Sequence, residues 1–548
     1  MNEFDYVVVG AGAAGSVVAR RLVDSGATVL LLEAGKSDRH PYVRVPAGFF
    51  RVLKSGHSSW GYKIEPQVGL GGRSFDYPRG KVLGGSGAIN GLVQSWGLPY
   101  DYDRWAREGC EGWSFDDVRP FFMRSESYAN GDPAKRGRDG PIVVSDYAEL
   151  HPVARDFLRA ANEVGLPVLK DYNSDYRAGV SQAQQTRDGR FRETAATAYL
   201  RPVMNRQNLT IETSALACAI ELDDSRRARG VSYRVGGVKK TAQARREVIV
   251  CGGTVNTPHL LNLSGIGHGE ELQAAGIAVR HHLPGVGHGM QDHYTSKLVR
   301  RLRGMTTLNQ QGRGLRLVAE VFDYMARGKG ILTASPSFVT GYLKSSPDLD
   351  IPDLQISFIP ASFELGGKFV LESKPGMSMG IWQMRPESRG HIRTISPRPE
   401  DAPAISPGYL RAPVDQQCVV AGLRWARRLL FANAFDAYGR EEVMPGPELT
   451  TDEQLLDYAR RTGGTTYHPV GSCRMGTDGR AVVDSQLRVH GISGLRIADA
   501  SIMPHVTSGN THAPTVMIAE KAADLILRKT PAWSTAAPPV SQMEPTNA

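Results

Sequence analysis

The segment DYVVVGAGAAGSVVARRLVDSGATVLLLE, residues 5–33, decides the fold. Asp5–Val9 is a short, β-branched apolar run and reads as a buried strand. Gly10, Ala11, Gly12, Ala13, Ala14 and Gly15 follow, and apolar residues then recur at helical spacing over Ser16–Val23. Ala27–Leu32 is a second buried strand and ends at Glu33. In this order the parts form a βαβ dinucleotide fingerprint. Gly10 permits the tight turn, Gly12 lets backbone approach a pyrophosphate, and Gly15 lets helix and strand pack closely. The pyrophosphate lies at a helix N-terminus, whose free N–H groups and dipole favour negative charge. Glu33, 18 residues beyond Gly15, is placed to accept hydrogen bonds from a ribose. A carboxylate there favours a free diol over a 2′-phosphate, hence FAD or NAD over NADP.

The rest of the chain sets bounds. It has 548 residues, 41% hydrophobic and 22% charged, enough for two or three domains with packed cores. No run approaches the roughly 18 apolar residues of a membrane span. The net charge of +9 is modest and its arginines are scattered, which argues against a nucleic-acid binder. Five cysteines at wide spacing, with no CxxC, argue for reduced thiols and against zinc or a disulfide framework. With no basic leader before the first strand, the chain is expected to be cytoplasmic, with membrane association left open.

Further strands are expected at Leu209–Glu212, Leu216–Leu222, Val231–Val235 and Glu247–Cys251. Asp353–Ile359 and Gly376–Gln383 alternate as a second sheet would, and Asp415–Leu430 and Thr451–Arg461 look helical. Residues 529–548 are rich in Pro, Ala, Ser and Thr and read as a disordered tail. No histidine or cysteine pairing has metal-ligand spacing, so no metal is expected.

Three more segments carry chemistry. RGKVLGGSGAIN, residues 79–90, is either a plain glycine-rich turn or a surface against which something flat or phosphorylated lies. GGTVNTPHLLNLSGIG, residues 252–267, follows a buried strand; Thr257 is expected to cap a helix that starts at Pro258 and ends at Gly265. Near the C-terminus, Tyr467-His468-Pro469 precedes Asp499-Ala500 and then Asn510-Thr511-His512-Ala513-Pro514, which opens a helix through Leu527.

Together these segments resemble the glucose–methanol–choline (GMC) oxidoreductase family, in its choline-dehydrogenase-like bacterial branch. The resemblance spans residues 4–528. It implies an α/β architecture, α+β overall: a Rossmann-like FAD-binding domain with an inserted antiparallel-sheet substrate domain. The first is expected at 1–155, 195–300 and 465–528, the second at 156–194 and 301–464. The implied activity is FAD-dependent oxidation of a primary or secondary alcohol to a carbonyl. Oxygen, a quinone or another carrier would take the electrons, with a dehydrogenase slightly preferred over an oxidase. A lyase that keeps FAD as a structural relic, breaking down cyanohydrins, is the alternative. A nucleotide-dependent disulfide or flavin reductase would need a second fingerprint and a cysteine pair, and the sequence has neither.

Residue by residue, the resemblance makes His468 and His512 the catalytic pair. A hydroxyl proton must leave as a hydride passes to the flavin, and imidazole suits that work. His468 is taken as the base, though which histidine does which stays open. Close relatives tend to carry Asn at the position of His512. FAD contacts are implied at Gly10, Gly12, Ala13, Ala14, Gly15, Glu33 and Ala34. They are implied also at Val82, Gly85, Ser86, Asn90, Gly91, Val93, Ala217, Asp499, Ala500, Asn510 and Ala513. The alternative for Asp499 is an ordinary loop acid. Some members attach FAD through a histidine one position before this asparagine; here that position is Ile89, so FAD is expected to be non-covalent. Trp96, Phe363 and Tyr467 are candidates for the substrate pocket, with Glu364 a nearby charge; Trp96 and Gln94 either line it or merely pack.

Overall fold

The computed structural model describes residues 2–364 and 370–528. The expected tail at 529–548 lies outside the described residues.

Two seven-stranded sheets organise the chain. The first holds the fingerprint. Strand Asn2–Val9 pairs in parallel with Val29–Glu33 on one side and Val238–Val250 on the other. Leu209–Thr213 extends one edge in parallel and Leu495–Ile497 pairs with Val248–Val250. Helix Ala13–Asp24 crosses between the first two strands. Val29–Glu33 is buried throughout, as parallel strands covered on both faces must be. The sequence reading started the strand ending at Cys251 at Glu247; it starts at Val238 instead. Its first residues, Val238–Thr241, are exposed and pair antiparallel with Ala228–Val235 across the Gly236-Gly237 turn. Apolar patterning marks only the buried half.

The second sheet is antiparallel. Its path runs Glu442–Met444, Tyr294–Arg301, Gly376–Gln383, Leu354–Ile359, Val339–Leu343, Gly179–Gln182, with Gly464–Thr465 also on Tyr294–Arg301. Residues 294–300, which the sequence reading placed with the dinucleotide-binding part, are thus hydrogen-bonded into this sheet. One face buries Leu298, Ile356, Phe358, Met379 and Ile381 with Leu423 and Ala426 of helix Pro413–Leu430.

The helix expected from Pro258 starts five residues earlier and spans Gly253–Leu263. Pro258 lacks an N–H, so the Thr254 carbonyl has no helical partner. The Ser472 hydroxyl donates to it at 2.6 Å instead. Thr257 does not cap; its hydroxyl donates to Asp499 at 2.6 Å. Helix His512–Leu527 packs on Ala13–Asp24, where the buried Glu520 accepts from Arg21 at 2.7 and 2.9 Å and from Tyr199 at 2.7 Å. No helix among the described residues is long and apolar enough to cross a membrane.

Candidate active site

A cavity of about 1200 Å³ lies between the C-terminal ends of the parallel strands and the second sheet. Small-molecule sites usually span about 300–1,000 Å³, so this one has room for a dinucleotide and a substrate together. Gly10, Gly12, Ala13, Ala14, Glu33 and Ala34 line it. Gly10 has φ +98°, and a Cβ there would stand 2.5 Å from the Cys251 carbonyl oxygen. Gly15 does not reach the cavity. A Cβ on it would fall 1.8 Å from the Gly10 carbonyl oxygen, so its part is helix–strand packing. The Glu33 carboxylate accepts from the N–H groups of Ala11 (2.9 Å) and Gly35 (2.7 Å), and burial pushes its pKa up to about 7.

Gly85, Ser86, Asn90, Gly91 and Val93 form the adjoining wall. Gly85 meets Gly12 so closely that a Cβ would lie 2.7 Å from the Gly12 Cα. Val82 does not line the cavity. It packs behind with Val43, Val52, Ala88 and Ile89 because the backbone bridge to Lys36 turns its side chain inward. Ala217 lines the cavity with Ala215 and Leu216. Asp499 and Ala500 line it too, but the Asp499 carboxylate is fully engaged. It accepts from the N–H groups of Gly253 and Ser501 (both 2.8 Å) and the hydroxyl of Thr257. It therefore shapes the wall more than it offers a free acceptor. Ala513 is buried in the first helical turn, behind the lining residues Thr511 and His512.

His468, Asn510 and His512 come together on this cavity. The hydrogen bonds settle the tautomer of His468. His293 Nε2 faces the Met384 carbonyl at 2.8 Å, which only accepts, so that nitrogen carries a proton. His293 Nδ1 is then an acceptor, and His468 Nδ1, 3.0 Å away, donates to it. Thr466 Oγ1 donates to the His293 carbonyl at 3.1 Å and accepts from the same His468 N–H at 2.8 Å. His468 Nε2 is left with its lone pair, and the Asn510 amide N–H approaches it at 2.9 Å. Both ends of the chain of bonds give the same answer. Burial holds His468 well below the ordinary histidine value, with His293 and Arg79 adding to the effect; burial lowers His293 to about 4.

Asp292 fixes the backbone of this turn. Oδ1 accepts from the His468 N–H at 2.8 Å; Oδ2 accepts from the hydroxyls of Tyr77 (2.7 Å), Thr465 (2.7 Å) and Tyr409 (2.5 Å). Tyr467, held at φ +66°, lines the cavity.

Both ring nitrogens of His512 and Oδ1 of Asn510 are buried with no partner among the described residues. Burial lowers His512 to about 4. Unpartnered buried polar atoms are costly unless a ligand meets them. Together with the glycine cradle they fit FAD and a polar substrate. Arg192, which sequence reasoning missed, is fully buried and bonds the carbonyls of Val43 (3.1 Å) and Pro46 (3.2 Å) and Asn90 Oδ1 (2.7 Å). The same Asn90 oxygen also accepts from the Leu92 N–H at 3.0 Å.

The second sheet supplies the opposite wall. Its period of two sends Leu298 and Ile356 to the core, and Thr295, Lys297, Gln355, Ser357, Ser378 and Trp382 to the cavity. Gln355 Oε1 and Trp382 Nε1 are buried without partners among the described residues. The Trp382 and His468 rings are 6.3 Å apart. Burial lowers the pKa of Lys297. Phe363 and Glu364 both line the cavity, and Glu364 is exposed. Trp96 is a correction: it lies outside the cavity, fully buried. Its ring stacks on Phe122 at 4.8 Å and its indole N–H donates to Glu126 at 3.1 Å. Gln94 donates to the same carboxylate at 2.9 Å. Arg136, lying 5.0 Å from the Trp96 ring, pairs with Glu126, so an ion pair holds both side chains away from the site.

His505 and His281 make their contacts elsewhere. His505 bridges Arg389 (2.6 Å) and Glu108 (2.5 Å), and His281 is buried against the His490 carbonyl at 2.9 Å. No group of three or more metal-ligating side chains occurs among the described residues.

Comparison with known proteins agrees with this geometry. The N-terminal profile of the GMC oxidoreductases matches residues 4–295, and the C-terminal profile residues 386–519. An alcohol dehydrogenase [acceptor] of Pseudomonas putida is 38% identical over 534 residues, 96% of each chain. An oxygen-dependent choline dehydrogenase of Photobacterium profundum is 37% identical, over 98% of this chain and 95% of its own. Among solved structures, pyridoxine 4-oxidase from Mesorbium loti superposes with a TM-score of 0.85 at 29% identity, covering 95% of this chain and 98% of that one. The chain belongs to the GMC oxidoreductase family, and is an FAD-dependent enzyme that oxidises alcohols at CH–OH carbons.

Proposed function

We propose that His468 is the base, that His512 donates a hydrogen bond to the substrate oxygen, and that the substrate is a polar alcohol without fixed positive charge. The observation that carries the first part is the tautomer of His468. Its Nε2 lone pair is the one position in the His293–His468–Asn510 chain of bonds that can take up a proton. FAD, when bound, supplies the hydride acceptor.

The alcohol O–H proton passes to His468 Nε2. As the C–H electron pair leaves the carbinol carbon, the C–O bond becomes C=O. His468 must be neutral to act, and burial keeps it so. His512, unpartnered and on the same cavity, is placed to donate to the oxygen as negative charge develops there. The start of helix His512–Leu527 adds the positive end of its dipole to this wall. Trp382 and Gln355 offer a donor and an acceptor for further substrate hydroxyls.

Lys297 supports the charge preference. It stands on the sheet face with Thr295 and Trp382, whereas the acid Glu364, which also lines the cavity, is exposed to water. A lysine here disfavours a trimethylammonium group and suits a polyol or a hydroxy acid. The relative named alcohol dehydrogenase [acceptor] supports transfer of electrons to an acceptor other than oxygen, whereas the choline dehydrogenase is named oxygen-dependent. Anaerobic mixing with neutral polyols, hydroxy acids, simple alcohols and choline, followed by air, tests the reading. Flavin bleaching by the first two classes, with slow return of colour in air, is expected. Preferential bleaching by choline contradicts the substrate assignment. Fast return of colour with peroxide contradicts the dehydrogenase. Bleaching by no alcohol, together with cyanohydrin cleavage, would favour the lyase.

A further inference from the structure

Helix Gly314–Arg327 turns its apolar side outward. Leu315, Val318, Phe322 and Met325 recur at spacings of three and four and are 88%, 64%, 74% and 62% exposed. Val321 beside them is 42% exposed, and Tyr324 is the helix's buried residue. A helix of a globular protein normally puts such a stripe against the core. Scattered apolar side chains at a surface need no explanation, but a contiguous patch marks an interaction surface.

Cations ring the stripe. Arg313 and Arg316 stand at its start, Arg327 and Lys329 at its end, and Arg190 donates to the Met325 carbonyl at 2.5 Å. Arg313 donates to the Leu371 carbonyl (2.5 Å) and Arg316 to the Thr306 hydroxyl (3.5 Å), both neutral oxygens. The helix's own acids are engaged. Glu320 accepts from the Ile331 N–H at 2.9 Å, and Asp323 pairs with Arg327. An exposed apolar stripe with a basic rim is the chemistry of a helix that lies in the interface of an anionic bilayer.

The helix also sits at the rim of the cavity. Leu371, which Arg313 bonds, pairs with Phe363 on the cavity wall. From its other end the chain passes through the turn Ile331–Thr333 to Pro336 and Ser337, also on that wall. We propose that Gly314–Arg327 docks the enzyme on an anionic lipid surface, with the cavity rim beside the bilayer.

Co-sedimentation of the FAD-loaded full chain with vesicles tests this. Binding is expected to vesicles of phosphatidylcholine with phosphatidylglycerol. It should weaken on phosphatidylcholine alone and in about 0.5 M salt. Phe322→Ser with Met325→Ser should lower the bound-to-free ratio about tenfold or more. Arg316→Glu should lower it on the anionic vesicles. In all these variants the circular dichroism and flavin reduction by a water-soluble alcohol should stay unchanged. Absence of vesicle binding at low salt overturns the proposal, as does binding that the double substitution leaves intact. A dimer in sedimentation equilibrium that the double substitution splits, without vesicle binding, overturns it in favour of a second copy of the chain.

Discussion

His468 and His293 meet nitrogen to nitrogen: their Nδ1 atoms stand 3.0 Å apart, with the rings at 89°. One proton fits between two such atoms, and the Met384 carbonyl decides its place by holding the other His293 proton. Adding a proton to His293 would set two N–H groups against each other. His293 is therefore held neutral by this contact, in line with its lowered pKa, while His468 can still take up a proton at Nε2.

His293 acts through His468, as a positioning residue. His293→Ala should slow anaerobic flavin reduction about tenfold, the worth of one hydrogen bond. The acid limb of the pH profile should move upward, because a neighbour that depresses the base is gone. His293→Asn, whose carbonyl oxygen still accepts, should recover much of the rate. A loss of rate with no shift of the acid limb would make the role merely structural.

Stability should fall in mild acid. His293 and His512 are lowered to about 4 in the folded chain, against about 6.5 when unfolded. The unfolded state thus binds more protons across that window. Each histidine contributes stability that is present above pH 6.5 and lost as pH falls toward 4, at about 1.4 kcal/mol per pH unit. Urea unfolding between pH 7 and 4.5 reads the slope. His512→Asn should make it shallower, and an unchanged slope contradicts the assignment.

Gly15→Ala should cost the cofactor. Its Cβ would overlap the Gly10 carbonyl and force apart the helix and strand that shape the cradle. The purified variant should show a clearly lower flavin-to-protein absorbance ratio than the parent. Full flavin content would mean the backbone relaxes without disturbing Gly10 and Gly12.

Asp292→Ala should destabilise the fold and misplace the base. It would leave three buried hydroxyls and the His468 N–H without their acceptor. The expected loss is at least about 3 kcal/mol, since each unmet buried group costs about 1–3. Denaturant unfolding measures it, and a change below about 1 kcal/mol would deny the carboxylate this part.

The dinucleotide half of the site was legible because its information is local. Gly10, Gly12, Gly15 and Glu33 sit within one βαβ unit, where spacing alone fixes geometry. The histidines were legible through a motif rather than through periodicity. Trp96 was misjudged because its direction depends on Glu126 and Arg136, which no spacing connects to it. His293 carried no signal at all, since its role comes from a tautomer set by Met384, 91 residues away. Lys297 did have one: it shares the parity of Thr295, while Tyr294, Ser296 and Leu298 on the other parity are buried. Pro258 misled because proline usually opens a helix, and only Ser472 explains how it is tolerated five residues in.

Anaerobic stopped-flow of the wild type and His468→Ala against an alcohol that bleaches the flavin tests the central claim most directly. The variant should keep its yellow FAD and reduce it about 10²–10⁴-fold more slowly, the usual worth of a general base. The wild type should lose rate only below the ordinary histidine pKa of about 6.5, because burial holds His468 lower. Reduction of the variant at near the wild-type rate would contradict the assignment of His468 as the base.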